Sequence, residues 1–406
     1  MTPRERFLHY VTYYTTSDDF SETAPSTERQ KELIRELARE MEELGLKDIS
    51  FDSNSNVYGT LPANVKGAPS IALIAHVDTA PDAPGENVRP AVITCPEGEF
   101  TLESGVVMNE ALCPGLSKHV GEELIVTDGT TLLGADDKAG IAIIVETARY
   151  FVEHPEVPHA KLCFAITPDE EVGRGTENFD IPAFGAQYAY TFDGDELGGF
   201  ETETFNAAMV KVHFEGLNTH PGSAKNKMVN AIRMAMDFIS RLPAESIPEK
   251  TEGHEGFFHP MGITGAVRGV DLKMLIRDHN NFRFEERMNY VRKMVEEMNK
   301  VWGNRVTADI KVQYHNLKNY LDKHPAVCEL AREAYRRIGV EINEKPVRGG
   351  TDGARLSARG LPTPNLFTGG MNYHGIFECL SVTGIERALE LGIMLGKMSA
   401  EVKTLD

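Results

Sequence analysis

Four short apolar runs in this chain each end in a polar tail: "SIALIAHVDTA" from Ser70, "KLCFAITPDEEVG" from Lys161, "YAYTFDGD" from Tyr188 and "PTPNLFTGGMNYHG" from Pro362. Runs this short and apolar read as strands buried on both faces. Between them lie segments with apolar residues at helical spacing, at 138–153, 325–338 and 384–403. Alternation of this kind predicts an α/β sheet with helices on its faces. Two further helices are expected near the start, over 5–16 and 27–44, the second capped by Ser26 or Thr27 and stopped by Gly45.

The rhythm breaks between 207 and 317. "AMVKVHFEG", "NKMVNAIRMAMDFISRL", "GITGAVRGV", "LKMLIRD", "RFEERMNYVRKMVEEMNKVW" and "VTADIKVQYHN" read as strand, helix, strand, strand, helix, strand. Such a unit closes on itself as a four-stranded sheet backed by two helices. The expectation is therefore an α+β domain over 207–317, inserted in an α/β domain formed by 1–206 and 318–406. A length of 406 residues suits two cores better than one.

The formal charge of −19, with no basic run, argues against a nucleic-acid surface, because phosphate binding needs clustered Lys and Arg. No segment reaches the roughly 18 apolar residues of a membrane span, so no membrane role is expected. The five cysteines form no CxxC pair and are odd in number, which fits a reducing, cytoplasmic setting.

The polar tails share one chemistry. His76 and Asp78 follow the first run, Glu170 and Glu171 the second, Asp193 closes the third, and His374 lies beyond the fourth. The carboxyl ends of strands border the ligand crevice in open α/β sheets, so residues distant in sequence would converge there. "LLGADDKAGIAII" adds Asp136 and Asp137 to an otherwise apolar stretch. A carboxylate shared by two divalent cations would keep Asp136 ionised among apolar neighbours, and Asp137 would cap the helix that follows. Imidazole and carboxylate ligands without cysteine suit zinc, with manganese or cobalt as substitutes. Asp78, two residues from His76, would hydrogen-bond the far ring nitrogen and orient it. Of Glu170 and Glu171, one would bind metal and the other accept a proton from water.

"HVDT", "GADDKAG", "PDEEVGRG", "DGDELG" and "HGIFE", in this order, resemble the metallopeptidase family M20, and the similarity extends over nearly the whole chain. The resemblance implies two zinc ions per subunit, one held by His76 and Asp193, the other by Glu171 and His374, with Asp136 bridging them. It makes Glu170 the general base and Asp78 the residue that orients His76. It also implies a cis peptide between Asp136 and Asp137. "NTHPGSAKN" resembles the family's lid motif, so His220 would steady an oxyanion, within the chain or across a homodimer joined through the inserted domain. Arg277 in "LIRDHN" and Arg355 in "GGTDGARLS" resemble the residues that bind a peptide's backbone or carboxylate.

The implied activity is that of an aminopeptidase acting on short peptides, tripeptides in particular. A carboxypeptidase or an N-acyl amino acid amidohydrolase would use the same chemistry with a different recognition pocket. A non-catalytic peptide-binding module would keep the fold and lose a ligand or the base, whereas His76, Asp136, Glu170, Glu171, Asp193 and His374 are all present.

Overall fold

In a computed structural model, residues 1–404 are described. They form two compact units, one of residues 1–202, 320–345 and 351 onward, the other of Glu203–Asn319 with Pro346–Gly350.

The first unit is built on an eight-stranded mixed sheet. Its strands lie in the order Lys47–Phe51, Val57–Leu61, Leu162–Thr167, Ile71–His76, Tyr188–Gly194, Asn365–Phe367, Gly199–Glu201, Asn343–Glu344. The four in the middle run parallel, with His76 level with Thr167 and Asn365 level with Thr191. Every residue of Ile71–His76 and Leu162–Thr167 is buried, as expected of central strands covered on both sides. One face of the sheet packs Ala72, Ile74, Cys163, Ala165 and Ala189 against Phe179, Phe184, Leu356 and Leu361. The opposite face is covered by the helix Ala135–Glu153, which contacts Ile71–His76 and Tyr188–Gly194 and is itself covered by the helix Val382–Ser399.

Helix and sheet meet most closely at Gly140. A side chain there would place Cβ 1.9 Å from the Phe192 carbonyl oxygen and 2.4 Å from Asp137 Oδ1, so only glycine fits. The helix proper starts late: Asp136 and Asp137 have non-helical backbone angles and are joined by the cis peptide that the family resemblance implied. Asp137 Oδ1 accepts a hydrogen bond from the Gly140 N–H at 3.1 Å, the N-cap arrangement expected of it.

Three local expectations need correction. The first helix ends at Tyr10, short of residue 16. The helix Gln30–Leu44 stops at Gly45 in the left-handed conformation as expected, but neither Ser26 nor Thr27 caps it. Ser26 is drawn away instead: its N–H and Oγ–H both bond to the buried Asp169 carboxylate, which also accepts from Gln30 Nε2. Finally, "PTPNLFTGGMNYHG" is two strands rather than one. Asn365–Phe367 belongs to the large sheet, whereas Gly370–Met371 crosses to a small sheet with Cys379–Ser381, Glu123–Val126 and Ala91–Thr94. The turn between them needs Gly369, whose φ is +94° and whose Cβ position would overlap Gly384.

The second unit is an antiparallel four-stranded sheet, in the order Phe257–Ala266, Gly269–Asp278, Asn206–Glu215, Val306–Tyr314. The helices Ala231–Ser240 and Asn281–Trp302 supply Met234, Phe238, Phe284, Met288, Val291, Met294 and Met298 to a core with Val210, Val212, Phe214, Leu272 and Ile276. Alternation along Asn206–Glu215 is the visible cause: from Val210 onward, every second residue is buried.

Candidate metal centre

Five of the residues expected to meet do so beside the carboxyl ends of the parallel strands. His76 is the last residue of its strand and is 2% exposed. Its Nε2 lies 2.8 Å from Asp136 Oδ1 and 3.3 Å from Asp193 Oδ1. On the other side of Asp136, His374 Nε2 lies 3.3 Å from Asp136 Oδ2 and 3.1 Å from Glu171 Oε2. One carboxylate therefore faces two imidazoles with its two oxygens, and each imidazole has a further carboxylate of its own. Among the described residues, His76, Asp136 and Glu171 can hold a metal ion, as can His76, Asp137 and Asp193.

Asp78 forms the floor beneath this set and is wholly buried. Its Oδ1 lies 3.3 Å from His76 Nδ1 and accepts the Glu170 N–H at 3.0 Å, and its Oδ2 accepts the Glu171 N–H at 3.3 Å. The His76 ring nitrogen also approaches the Asp78 carbonyl oxygen at 3.1 Å. One buried carboxylate thus spans the ends of two strands.

So much acid in so little water is electrostatically strained. Burial pushes Glu170 up to about 8, helped by the Asp352 charge, and Glu171 up to about 7, helped by the Asp136 charge. Burial likewise lifts Asp193 well above the usual carboxylate range. Burial opposes the charge on Asp136 as well, but hydrogen bonds from His374 and His76 prevail and hold it below that range. For the two imidazoles, burial opposes protonation and the carboxylates overcome it. His374 rises to about 11 through Asp136 and Glu171, and His76 rises well above its ordinary value through Asp193 and Asp136. The pocket thus carries a potential strong enough to draw in protons where cations would serve. Glu171 Oε1 is buried without a hydrogen-bond partner, which is costly for a carboxylate oxygen unless a cation faces it. The donor set and this orphaned oxygen both fit divalent metal.

The backbone around the centre is unusual too. His374, Asn372 and Asp169 all have positive φ, at 63°, 56° and 59°, a conformation non-glycine residues rarely hold outside sites that constrain them.

The other expected residues are placed as follows. Arg355 stands on the helix Asp352–Ala358, close to Gly173, and its charge partly offsets the rise of Glu170. His220 and Arg277 belong to the second unit. His220 is exposed and accepts the Gly222 N–H on Nδ1, and Arg277 donates to the Arg348 carbonyl oxygen at 3.0 Å.

Sequence reasoning passed over three buried acids. Asp137, read only as a cap, also accepts the His76 N–H at 3.1 Å and so ties helix to strand. Asp352 accepts from Thr167 Oγ1 at 2.8 Å, and its other oxygen is buried without a partner. Glu378 accepts three backbone N–H groups from the loop that leads into Asp136. Asp352 and Glu378 both stand inside quoted motifs, "GGTDGARLS" and "HGIFE", and that was the available signal.

Residues 202–303 match the peptidase dimerisation domain of the M20 peptidases. A peptidase T from Parabacteroides distasonis is 46% identical over 403 residues, covering 98% of this chain and 99% of its own. The crystal structure of aminopeptidase PepT from Bacillus cereus superposes with a TM-score of 0.75 at 25% identity, over 98% of both chains. A dinuclear metal binding peptidase of the M20 family from Bacillus subtilis shares the fold, with a TM-score of 0.66 at 14% identity over 98% of this chain and 99% of that one. Identity at the level of the Parabacteroides protein, sustained from end to end of both chains, shows that the chain belongs to the peptidase T family of the M20 peptidases.

Proposed function

We propose that the chain is a two-zinc aminopeptidase that removes the N-terminal residue from short peptides, tripeptides foremost. The observation that carries this reading is the placement of Asp136 between two imidazoles, each with a second carboxylate beside it. In this reading His76 and Asp193 hold one ion, Glu171 and His374 the other, and Asp136 is shared, with manganese or cobalt able to substitute. When bound, such ions supply Lewis acidity toward the scissile carbonyl and make a water molecule acidic near neutral pH.

The protein residues do the rest. Glu170 accepts the proton of the attacking water and returns it to the leaving amine. Burial and the Asp352 charge raise its affinity for a proton, as the role of a base requires. Asp78 fixes the His76 ring and, through the Glu170 and Glu171 amides, the loop that carries the base. His220 steadies the oxyanion, and Arg277 and Arg355 receive the peptide backbone or its carboxylate.

The acids on the chain that follows Asp193 suit a free amine better than a free carboxylate. The chain leaving Asp193 lines a cavity of about 210 Å³ with Asp195 and Glu201, against Lys345, next to Asn372. Burial pushes Glu201 up to about 8, helped by Asp195. A cationic N-terminus would relieve this, and a C-terminal carboxylate would worsen it. The family membership, together with this charge, favours the aminopeptidase over the carboxypeptidase and amidohydrolase readings.

A homodimer joined through the second unit is supported by the dimerisation-domain match and by its edge strand Phe257–Ala266, which exposes Met261 and Ile263 at 49% and 52%. No helix among the described residues is long and apolar enough to cross a membrane. All five cysteines are free, and the cytoplasm is the setting proposed.

A panel of free tripeptides, dipeptides, N-acetylated peptides and N-acyl amino acids tests the reading. Free tripeptides should lose their first residue fastest, and N-acetylation should abolish cleavage. Preference for a blocked substrate would overturn it.

A further inference from the structure

His374 is one of two residues with positive φ in the segment Asn372–Glu378, and the segment is stitched down at both ends. On one side the Tyr373 hydroxyl donates to the Gly194 carbonyl oxygen at 2.9 Å, adjacent to Asp193, and pairs with Thr368 Oγ1 at 2.9 Å. On the other side Glu378, only 1% exposed, closes the segment. Its Oε2 accepts the N–H groups of Leu133 at 2.7 Å and Gly134 at 2.9 Å, and its Oε1 accepts that of Asp136 at 3.1 Å. The residue after it begins the strand Cys379–Ser381, so the grip is anchored in a sheet on one side.

We propose that Glu378 is a positioning residue: it couples the segment that carries His374 to the loop that carries Asp136, and so sets the gap that the second metal ion must span. The inference rests on the two-ion reading above, but concerns a residue that no part of that reading uses.

The physical reasons are reach and stiffness. His374 and Asp136 are far apart in sequence, and their side chains approach at 3.3 Å across an exposed edge, where side-chain packing alone holds an imidazole loosely. A carboxylate accepting three amides with both oxygens has a single orientation, because any rotation strands a buried N–H. The bonds to Gly134 and Asp136 flank Ala135, so the grip acts on the peptide planes from which the Asp136 side chain leaves. Displacing that loop by a few tenths of an ångström would misplace Asp136 against His374 while leaving its distance to His76, fixed through Asp137 and the His76 amide, far less affected.

The test compares wild type with Glu378→Gln, which must present an NH₂ group to one of the three amides. Three readouts are needed: zinc affinity and count by competition with a chromophoric chelator, melting temperature of the metal-free protein, and kcat and KM on a free tripeptide at saturating zinc. The expected result is a second zinc equivalent bound about 10- to 100-fold more weakly, a similar fall in kcat, and a KM changed less than about threefold. A merely structural role would lower the melting temperature and leave zinc affinity and kcat of the folded protein unchanged, and that result overturns the proposal. Should Glu378→Gln fail to fold, Glu378→Asp, which keeps the charge but reaches fewer amides, is read by the same criteria. Failure of both to fold without metal would make the residue a determinant of the fold, also overturning the proposal. If wild type itself binds fewer than two ions, it is the two-ion reading that fails, and the outcomes stay distinct.

Discussion

Replacing Asp78 by alanine should separate the two duties of that carboxylate. The wild-type side chain is wholly buried, accepts the Glu170 and Glu171 amides at 3.0 and 3.3 Å, and approaches His76 Nδ1 at 3.3 Å. Removing it leaves two N–H groups without their acceptor. Hydrogen bonds to a charged group are worth about 1.5–3 kcal/mol each, and the long second bond belongs at the low end, so the loss is about 3–4 kcal/mol. At roughly 2 °C per kcal/mol for a large domain, the metal-free protein should melt about 6–8 °C lower. The His76 ring keeps the Asp78 carbonyl oxygen at 3.1 Å but loses the carboxylate at 3.3 Å, which should weaken the ion on His76 and Asp193 by about 10-fold. Scanning fluorimetry of the chelated protein gives the first number, and zinc competition gives the second. A lower melting temperature with unchanged zinc affinity would refute the orienting role. An unchanged melting temperature would refute the bracing of the Glu170 loop.

Glu170→Gln should keep both metal equivalents, yet reduce kcat by about 10²- to 10⁴-fold, a rise in barrier of about 3–5 kcal/mol. Turnover within tenfold of wild type, or loss of metal, would remove it from the base role. Glu201→Gln should stabilise the chelated protein in a pH-dependent way. The folded-state pKa of Glu201, about 8, lies above its ordinary 4.5, so the folded protein retains a proton that the unfolded chain releases, and wild-type stability falls as pH rises between those values. The melting-temperature difference in favour of Glu201→Gln should therefore widen from pH 5 to pH 8, and a constant difference would contradict the buried acid.

Much of this architecture is visible in the sequence because its elements are long or strongly patterned. The helix Pro325–Ile338 begins at its proline and ends before Gly339, as the 325–338 spacing predicts. The unbroken apolar runs at Ile71–His76 and Leu162–Thr167 are the buried parallel strands. The small sheet was not legible: Ala91–Thr94, Gly370–Met371 and Cys379–Ser381 are too short to carry a period, and each is defined only by its partner. Site residues divide the same way. His76 and Asp193 stand at strand ends, Asp136 at a helix start, and Glu170, Glu171 and His374 in turns that follow strands, where a polar residue after an apolar run attracts notice. Asp137, Asp352 and Glu378 bind backbone amides or a threonine hydroxyl, and in sequence an acid that does so looks like a solvated one. The Ser26 cap failed for a related reason, since Asp169, well over a hundred residues away, competes for that hydroxyl.

The most direct test of the account is metal analysis coupled to turnover on a free tripeptide. Two zinc equivalents per chain, activity abolished by a chelator and restored as the second equivalent is returned, is the result predicted. A chain that binds one ion or none at full activity, or that cleaves the peptide unaffected by chelation, would contradict it.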